Sequence, residues 1–279
     1  MATPYQIGWF STGRDKAARD LFVTVQTAIR RREIDAEVAF VFCNRDPGEA
    51  LDTNLLIRLV NACNLPLISV SYQKFKETVQ SPGKVDRNNL PAWRLEYDRS
   101  VMQAIEPLNP EICVLAGYML VTGKELCAKY NMINLHPAAP GGPAGTWQKV
   151  IWQLIERNAN ETGVMMHLVT PELDMGPTVT YCTFSIRGER FDALWAEIKG
   201  KSLKQVKKTE GENNALFKAI REHGFARELP LIVSTLKAFS QGRVKITPDK
   251  KVVDIEGKAI NGYNLTTEID QKVKRLPAR

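Results

Sequence analysis

The chain has 279 residues, 44% of them hydrophobic and 25% charged, enough length for a sizeable core and an ordinary composition for a globular protein. Its longest apolar runs, such as 38–43, are strand-sized and far below the roughly 20 residues that cross a bilayer. The start of the chain also lacks the basic, apolar and small-residue regions of a signal peptide. A net charge of +7 would suit an anionic partner, but the Lys-rich run 199–208 has no interleaved aromatics and reads as a solvated loop, so neither nucleic acid nor membrane is an expected partner.

In chain order, a first strand is predicted over 5–10, followed by a turn at Ser11-Thr12-Gly13. A helix follows over 14–32, with Ala17, Leu21, Val25 and Ala28 on one face. A strand over 36–43, a helix over 51–63 and a strand over 67–70 come next. Then follow a helix over 94–106, a strand over 112–116, a short helix near 123–129 and a strand over 132–135. Alternating elements with near-continuous apolar strands predict an α/β chain built on a doubly wound, mostly parallel sheet covered on both faces. Such sheets bind ligands outside the carboxyl ends of their strands. Beyond 145 the pattern changes: a helix over 146–157, then strands over 163–169 and 178–186 paired in antiparallel fashion around a turn. Helices are predicted over 191–199, 213–223 and 228–239, with a Lys-rich connector over 200–212. Short strands at 244–246 and 252–255 carry hairpin chemistry at Glu256-Gly257 and Asn261-Gly262. One domain over 1–245 and a tail over 246–279, its last ten or so residues frayed, complete the expectation.

Five cysteines, Cys43, Cys63, Cys113, Cys127 and Cys182, are scattered and odd in number, with no C-x-x-C. They predict core packing in a reducing, cytoplasmic compartment.

Chemistry concentrates in Asn134-Leu135-His136-Pro137 and in Glu172-Leu173-Asp174-Met175-Gly176-Pro177, two loop edges each entered from an apolar run. An amide, an imidazole and a carboxylate are what an amine needs to attack a carbonyl carbon. Asn134 can donate to the oxyanion that develops, a cationic His136 can do so more strongly, and Asp174 can hold His136 charged or accept the amine's proton. An adjacent Asp predicts a raised imidazole pKa. His167, inside an apolar run, reads as a satisfied core histidine and His223 as a surface one. No metal is expected, because the histidines and Asp174 lack ligand spacing. Thr12, Gly13, Arg14, Asp15 and Lys16 lie where a strand meets a helix, and their helix-start N–H groups and cations would favour a phosphate. Arg94 heads an amphipathic helix.

The segments Val114-Leu115-Ala116-Gly117-Tyr118-Met119, Ile133-Asn134-Leu135-His136-Pro137, Thr162-Gly163-Val164-Met165-Met166-His167 and Glu172-Leu173-Asp174-Met175-Gly176-Pro177 resemble, in this order, the folate-dependent formyltransferases. The likeness runs from about residue 5 to about 245 and is greatest to the branch that formylates glycinamide ribonucleotide. It implies the formyltransferase fold, with an acceptor half over about 1–110 and a folate and catalytic half over about 111–245. It implies 10-formyltetrahydrofolate as donor, small-molecule substrates, and catalytic roles for Asn134, His136 and Asp174. The folate pocket would carry over to Met119, Leu120, Val121, Val169, Thr170, Pro171 and Glu172. Arg94, followed by Tyr97, Asp98 and Arg99, matches an acceptor-binding Arg. Direct transfer to the ribonucleotide's primary amine, in purine biosynthesis, is the reaction implied. Another amine acceptor, hydrolysis of the donor, and a non-catalytic nucleotide- or folate-binding module are the alternatives. A first strand at Tyr5 leaves no room for the regulatory domain that hydrolase relatives carry, and the tail is too short for a tRNA-binding domain.

Three departures stand out. The family's phosphate loop, Ser-Gly-x-Gly-Ser-Asn, is here Ser11-Thr12-Gly13-Arg14-Asp15-Lys16. The usual Ser-Leu-Leu-Pro after the catalytic His is Ala138-Ala139-Pro140-Gly141-Gly142. The 200–212 connector has no counterpart, which leaves the choice between Glu222 and Glu228 as the ribose contact open. The oligomeric state is separately open between monomer and homodimer.

Overall fold

The computed structural model describes residues 3–79 and 90–275. Five strands, β1 (Tyr5–Ser11), β2 (Ala36–Cys43), β3 (Leu67–Ser69), β4 (Ile112–Leu115) and β5 (Met132–His136), run parallel in the order β3-β2-β1-β4-β5. Then the direction reverses. β6 (Glu161–Leu168) is antiparallel to β5, and β7 (Thr178–Ser185) is antiparallel to β6. A hairpin of β8 (Val244–Ile246) and β9 (Val252–Asp254) stands apart from this sheet. β10 (Tyr263–Asn264) joins it as an eighth strand beside β7.

The helices are α1 (Lys16–Arg30), α2 (Leu51–Ala62), α3 (Tyr72–Thr78), α4 (Ala92–Ile105), α5 (Lys124–Lys129), α6 (Trp147–Glu156), α7 (Glu189–Ile198), α8 (Leu203–Thr209), α9 (Ala215–Ser240) and α10 (Thr266–Lys274). On one face of the sheet, Leu21, Phe22 and Val25 of α1 and Leu231, Ile232 and Leu236 of α9 pack on Ile7, Val114 and Met166. On the other, Trp93, Tyr97, Val101 and Ile105 of α4 cover Phe10, Phe40 and Phe42. Both faces of the parallel strands are therefore dry, as their unbroken apolar runs predict. A third cluster joins α6, α7, α8 and the first turns of α9 around Phe217 and Trp195.

Several expectations change. The Lys-rich run is no loop: 203–209 is helical, because Val206 is buried in the third cluster while its lysines face outward. The helices predicted over 213–223 and 228–239 are one, α9, running through Gly224 and Pro230. The tail does not hang free. Leu265 donates its N–H to the Tyr181 carbonyl at 2.8 Å, and Leu265 and Ile269 belong to the main core. Residues 266–274 form α10 rather than fraying, and 276–279 lie outside the described residues.

Candidate active site

Reversal of strand direction at β6 builds the site. Antiparallel pairing sets His167 directly opposite Asn134, and side chains of such opposed residues share a face. Asn134 Nδ2 and His167 Nε2 are 3.4 Å apart. The chain leaves β6 and turns back so tightly that Leu168 donates to the Pro177 carbonyl at 2.8 Å. Only glycine fits at 176, where a Cβ would lie 1.7 Å from the Leu168 oxygen. Within this turn Asp174 adopts a left-handed backbone, φ +57°, a conformation that Asp tolerates better than most residues. Its carboxylate reaches both imidazoles: Oδ1 is 3.6 Å from His167 Nε2, and Oδ2 is 3.7 Å from His136 Nδ1. Oδ2 also accepts the Gly145 N–H at 3.2 Å.

These groups are nearly dry, with His136 3% and His167 2% exposed. Burial lowers the His136 pKa below its usual 6.5, and it outweighs the raising effects of the Pro143 carbonyl and Asp174. The cationic His136 expected from the sequence is therefore corrected: desolvation exceeds the attraction of a carboxylate 3.7 Å away. His136 Nε2 lies 2.9 Å from the Pro143 oxygen, so the neutral ring carries its proton there and turns a bare Nδ1 toward Asp174. Burial would raise Asp174, yet His167, His136 and the Gly145 N–H together hold it below the usual carboxylate range. Asp174 is thus an ionised acceptor at neutral pH.

Asn134, His167 and Asp174 open on one cleft of about 390 Å³, open solvent included. Its walls come from the loop after β4 and the loop after β6. Leu120, Val121, Val169 and Thr170, predicted as folate contacts, line it. Met119, Pro171 and Glu172 do not; Met119 projects outward, 51% exposed, while its N–H donates to Thr12 Oγ1 at 2.9 Å. His136 lies behind Asp174 rather than on the wall. Leu115, Tyr118, Thr122, His167 and Leu173 complete the lining and were not predicted. For His167 the available signal was its place at the strand end just before the Asp174 turn. Read in isolation, its apolar neighbours pointed to the core.

Arg94 is buried, not displayed at the surface. Its Nη2 donates to the Val121 carbonyl at 2.6 Å and to Asp98 Oδ1 at 3.0 Å, and Asp98 Oδ2 accepts the Gly123 N–H at 2.6 Å. The pair clamps both ends of the 121–123 segment that walls the cleft. At the start of α1, Asp15 caps the helix by accepting the Ala18 N–H at 3.0 Å. Arg14 lies 3.5 Å from Asp15 and Lys16 2.6 Å from Asp20. His223 is half-buried, not on the surface, because its ring packs 5.0 Å from Phe191.

A buried amide, imidazole and carboxylate cluster at the carboxyl edge of a doubly wound sheet, beside a largely apolar cleft, is the kind of place where α/β enzymes bind their ligands. Residues 17–190 match the family described as formyl transferase, and the chain belongs to that family. Its members use 10-formyltetrahydrofolate as formyl donor. Over 174 residues the chain is 29% identical to the phosphoribosylglycinamide formyltransferase of Escherichia coli, covering 61% of this chain and 68% of that one. Over 148 residues it is 28% identical to the formyltetrahydrofolate deformylase of Haemophilus influenzae, covering 52% of this chain and 44%, less than half, of that relative. The phosphoribosylglycinamide formyltransferase structure from Coxiella burnetii superposes with a TM-score of 0.64 at 20% identity, over 94% of this chain and 99% of the other, and so shares the fold.

Proposed function

We propose that the chain transfers the formyl group of 10-formyltetrahydrofolate to the primary amine of glycinamide ribonucleotide. The observation that carries this is the convergence of Asn134, His167 and ionised Asp174 on one cleft wall, with Asp174 Oδ1 3.6 Å from His167 Nε2. In the proposed step the amine nitrogen bonds to the formyl carbon. The Asn134 amide donates to the developing oxyanion, which is stabilised best by a donor already fixed in place. Asp174 accepts the proton the amine loses, directly or through water. The bond from formyl carbon to folate nitrogen then breaks, and that nitrogen leaves with the proton that Asp174 took from the amine, which returns the carboxylate to its ionised form. His136, neutral and anchored by its Nε2 to the Pro143 carbonyl, packs behind Asp174. No Ser or Cys nucleophile takes part: Cys43 and Cys113 are buried, and burial raises both thiol pKa values, that of Cys43 to about 11. The acceptor half would be residues 1–110, and the acceptor itself is suggested by the relatives' names.

A second reading, hydrolysis of the donor, draws on the deformylase relatives and on one feature of the site. Arg14 and Lys16, the expected phosphate ligands, already have carboxylate partners in Asp15 and Asp20, and water needs no phosphate site. One assay separates the two: donor consumption followed spectroscopically with and without glycinamide ribonucleotide. Turnover that requires the ribonucleotide supports transfer; equal turnover in its absence overturns transfer in favour of hydrolysis.

A further inference from the structure

Around the acceptor corner of the sheet, most cations are engaged. Besides Arg14 and Lys16, Arg19 lies 2.5 Å from Asp52 and Lys74 2.8 Å from Asp46. The start of α1 is occupied as well, since the Asp15 carboxylate sits where an anion would cap it. Gly13 gives its N–H to Ser11 Oγ at 3.1 Å and Thr12 gives its N–H to the Gly117 carbonyl at 3.1 Å.

Arg45, just past the carboxyl end of β2, differs. It is half-buried, and among the described residues it has no carboxylate partner. Its one hydrogen bond is a long approach of Nη1 to Thr53 Oγ1, 3.4 Å. Beneath it in sequence, Asn44 is fully buried, and neither Oδ1 nor Nδ2 has a hydrogen-bond partner. Buried amides are paired in the large majority of cases, so packing gives no reason for an Asn here, whereas a polar ligand does. The corner is also wired to the cleft. Thr53 Oγ1 donates to the Thr12 carbonyl at 3.0 Å, and Thr12 Oγ1 accepts from Met119 at the start of the cleft wall.

We propose that Arg45, positioned by its contact with Thr53, recognises a phosphomonoester on the acceptor, in place of Arg14 and Lys16. This rests on the amine-formylation reading. Magnitude favours it: exposed ion pairs such as Lys16–Asp20 are weak and screened, whereas the half-buried Arg45 has no ion pair among the described residues and would meet an anion in a lower dielectric. Of the two carboxylates that follow it in the loop, Asp46 pairs with Lys74 at 2.8 Å and Glu49 leaves a buried Oε2 without a hydrogen-bond partner.

Calorimetric titration of the full chain with ribose 5-phosphate at low ionic strength, with ribose as the neutral control, tests this without turnover. The wild type is expected to bind ribose 5-phosphate and not ribose. Arg45→Ala should weaken binding at least tenfold, Arg45→Lys less, and the paired change Arg14→Ala with Lys16→Ala less than Arg45→Ala. Tetrahydrofolate binding within about threefold of wild type in each variant reports that the fold is kept. A loss concentrated in the Arg14 and Lys16 variant, equal binding of ribose and ribose 5-phosphate, or no binding by the wild type would overturn the assignment. A wild type that binds ribose 5-phosphate through Arg45 yet formylates no amine would overturn the reaction reading and leave this site standing.

Discussion

Asp174 touches both imidazoles and a backbone N–H, and it is the group whose proton balance the proposed transfer depends on. Replacing one oxygen by nitrogen keeps the shape and removes the charge. Asp174→Asn is therefore expected to lower kcat at least about 100-fold, the size of a general acid–base contribution, with donor binding within a few-fold by direct titration. Near-wild-type turnover would remove Asp174 from the mechanism. That Asn134, His136 and Asp174 would come together was legible in the sequence, because few histidines occur and this one lies between an Asn and a Pro at a strand end. The charge on His136 was not. A carboxylate nearby in sequence argument raises a histidine; a ring only 3% exposed is governed by desolvation. Nor was the role of His167, whose partner Asn134 lies 33 residues away and meets it only through antiparallel pairing.

Among the elements, the parallel strands were readable because each is an apolar run buried on both faces. α9 was not, since Gly224 and Pro230 both argue for a break. What overrides them is tertiary. Arg227 lies on the helix between these two residues, yet it is buried: its guanidinium stacks 4.5 Å from the Phe184 ring, donates to the His223 carbonyl at 2.9 Å and pairs with Asp270 at 2.9 Å. Phe184 and Asp270 come from β7 and α10, which no local pattern reveals. Pro230 still forfeits a helical hydrogen bond, a defect of up to about 3 kcal/mol. Pro230→Ala is expected to raise stability to urea by about 1–3 kcal/mol with unchanged turnover. A variant less stable than wild type would show that Pro230 itself favours the packed form of α9.

At the scale of the whole molecule, the last described residues complete the sheet. Deleting residues from 263 onward would bare the β7 edge and remove two buried side chains, Leu265 and Ile269, with the Arg227–Asp270 pair. At about 1.5–3 kcal/mol for each apolar side chain, the loss is at least about 3 kcal/mol. Each kcal/mol is worth about 2–4 °C for a chain of this size, so a fall in Tm of about 6 °C or more is expected on thermal scanning. No fall would mean that β10 and α10 are dispensable. Acid should weaken the fold as well. Burial lowers His136, and burial with Arg227 lowers His223, below the usual 6.5, so on unfolding each ring takes up a proton that it refuses when folded. Their contribution is full above 6.5 and shrinks as pH falls from there toward the folded values. Urea midpoints should therefore drop between pH 7.5 and 5.5, and His223→Gln should flatten that slope; an unchanged slope would assign it elsewhere.

The placement of the site on two kinds of support has a consequence for how the protein would lose activity. Asn134 and His167 belong to β5 and β6, fourth and third in the eight-stranded order, with paired strands on either side, so they move only when the sheet itself comes apart. Asp174 belongs to a turn fastened to the sheet through few bonds, notably Leu168 to Pro177 and Gly145 to Asp174. Mild heat or denaturant would lift that turn first, since weakly tethered segments open at lower free energy than core strands. Catalysis would then fade before the spectroscopic signature of the sheet does, and would return on cooling without the delay of refolding.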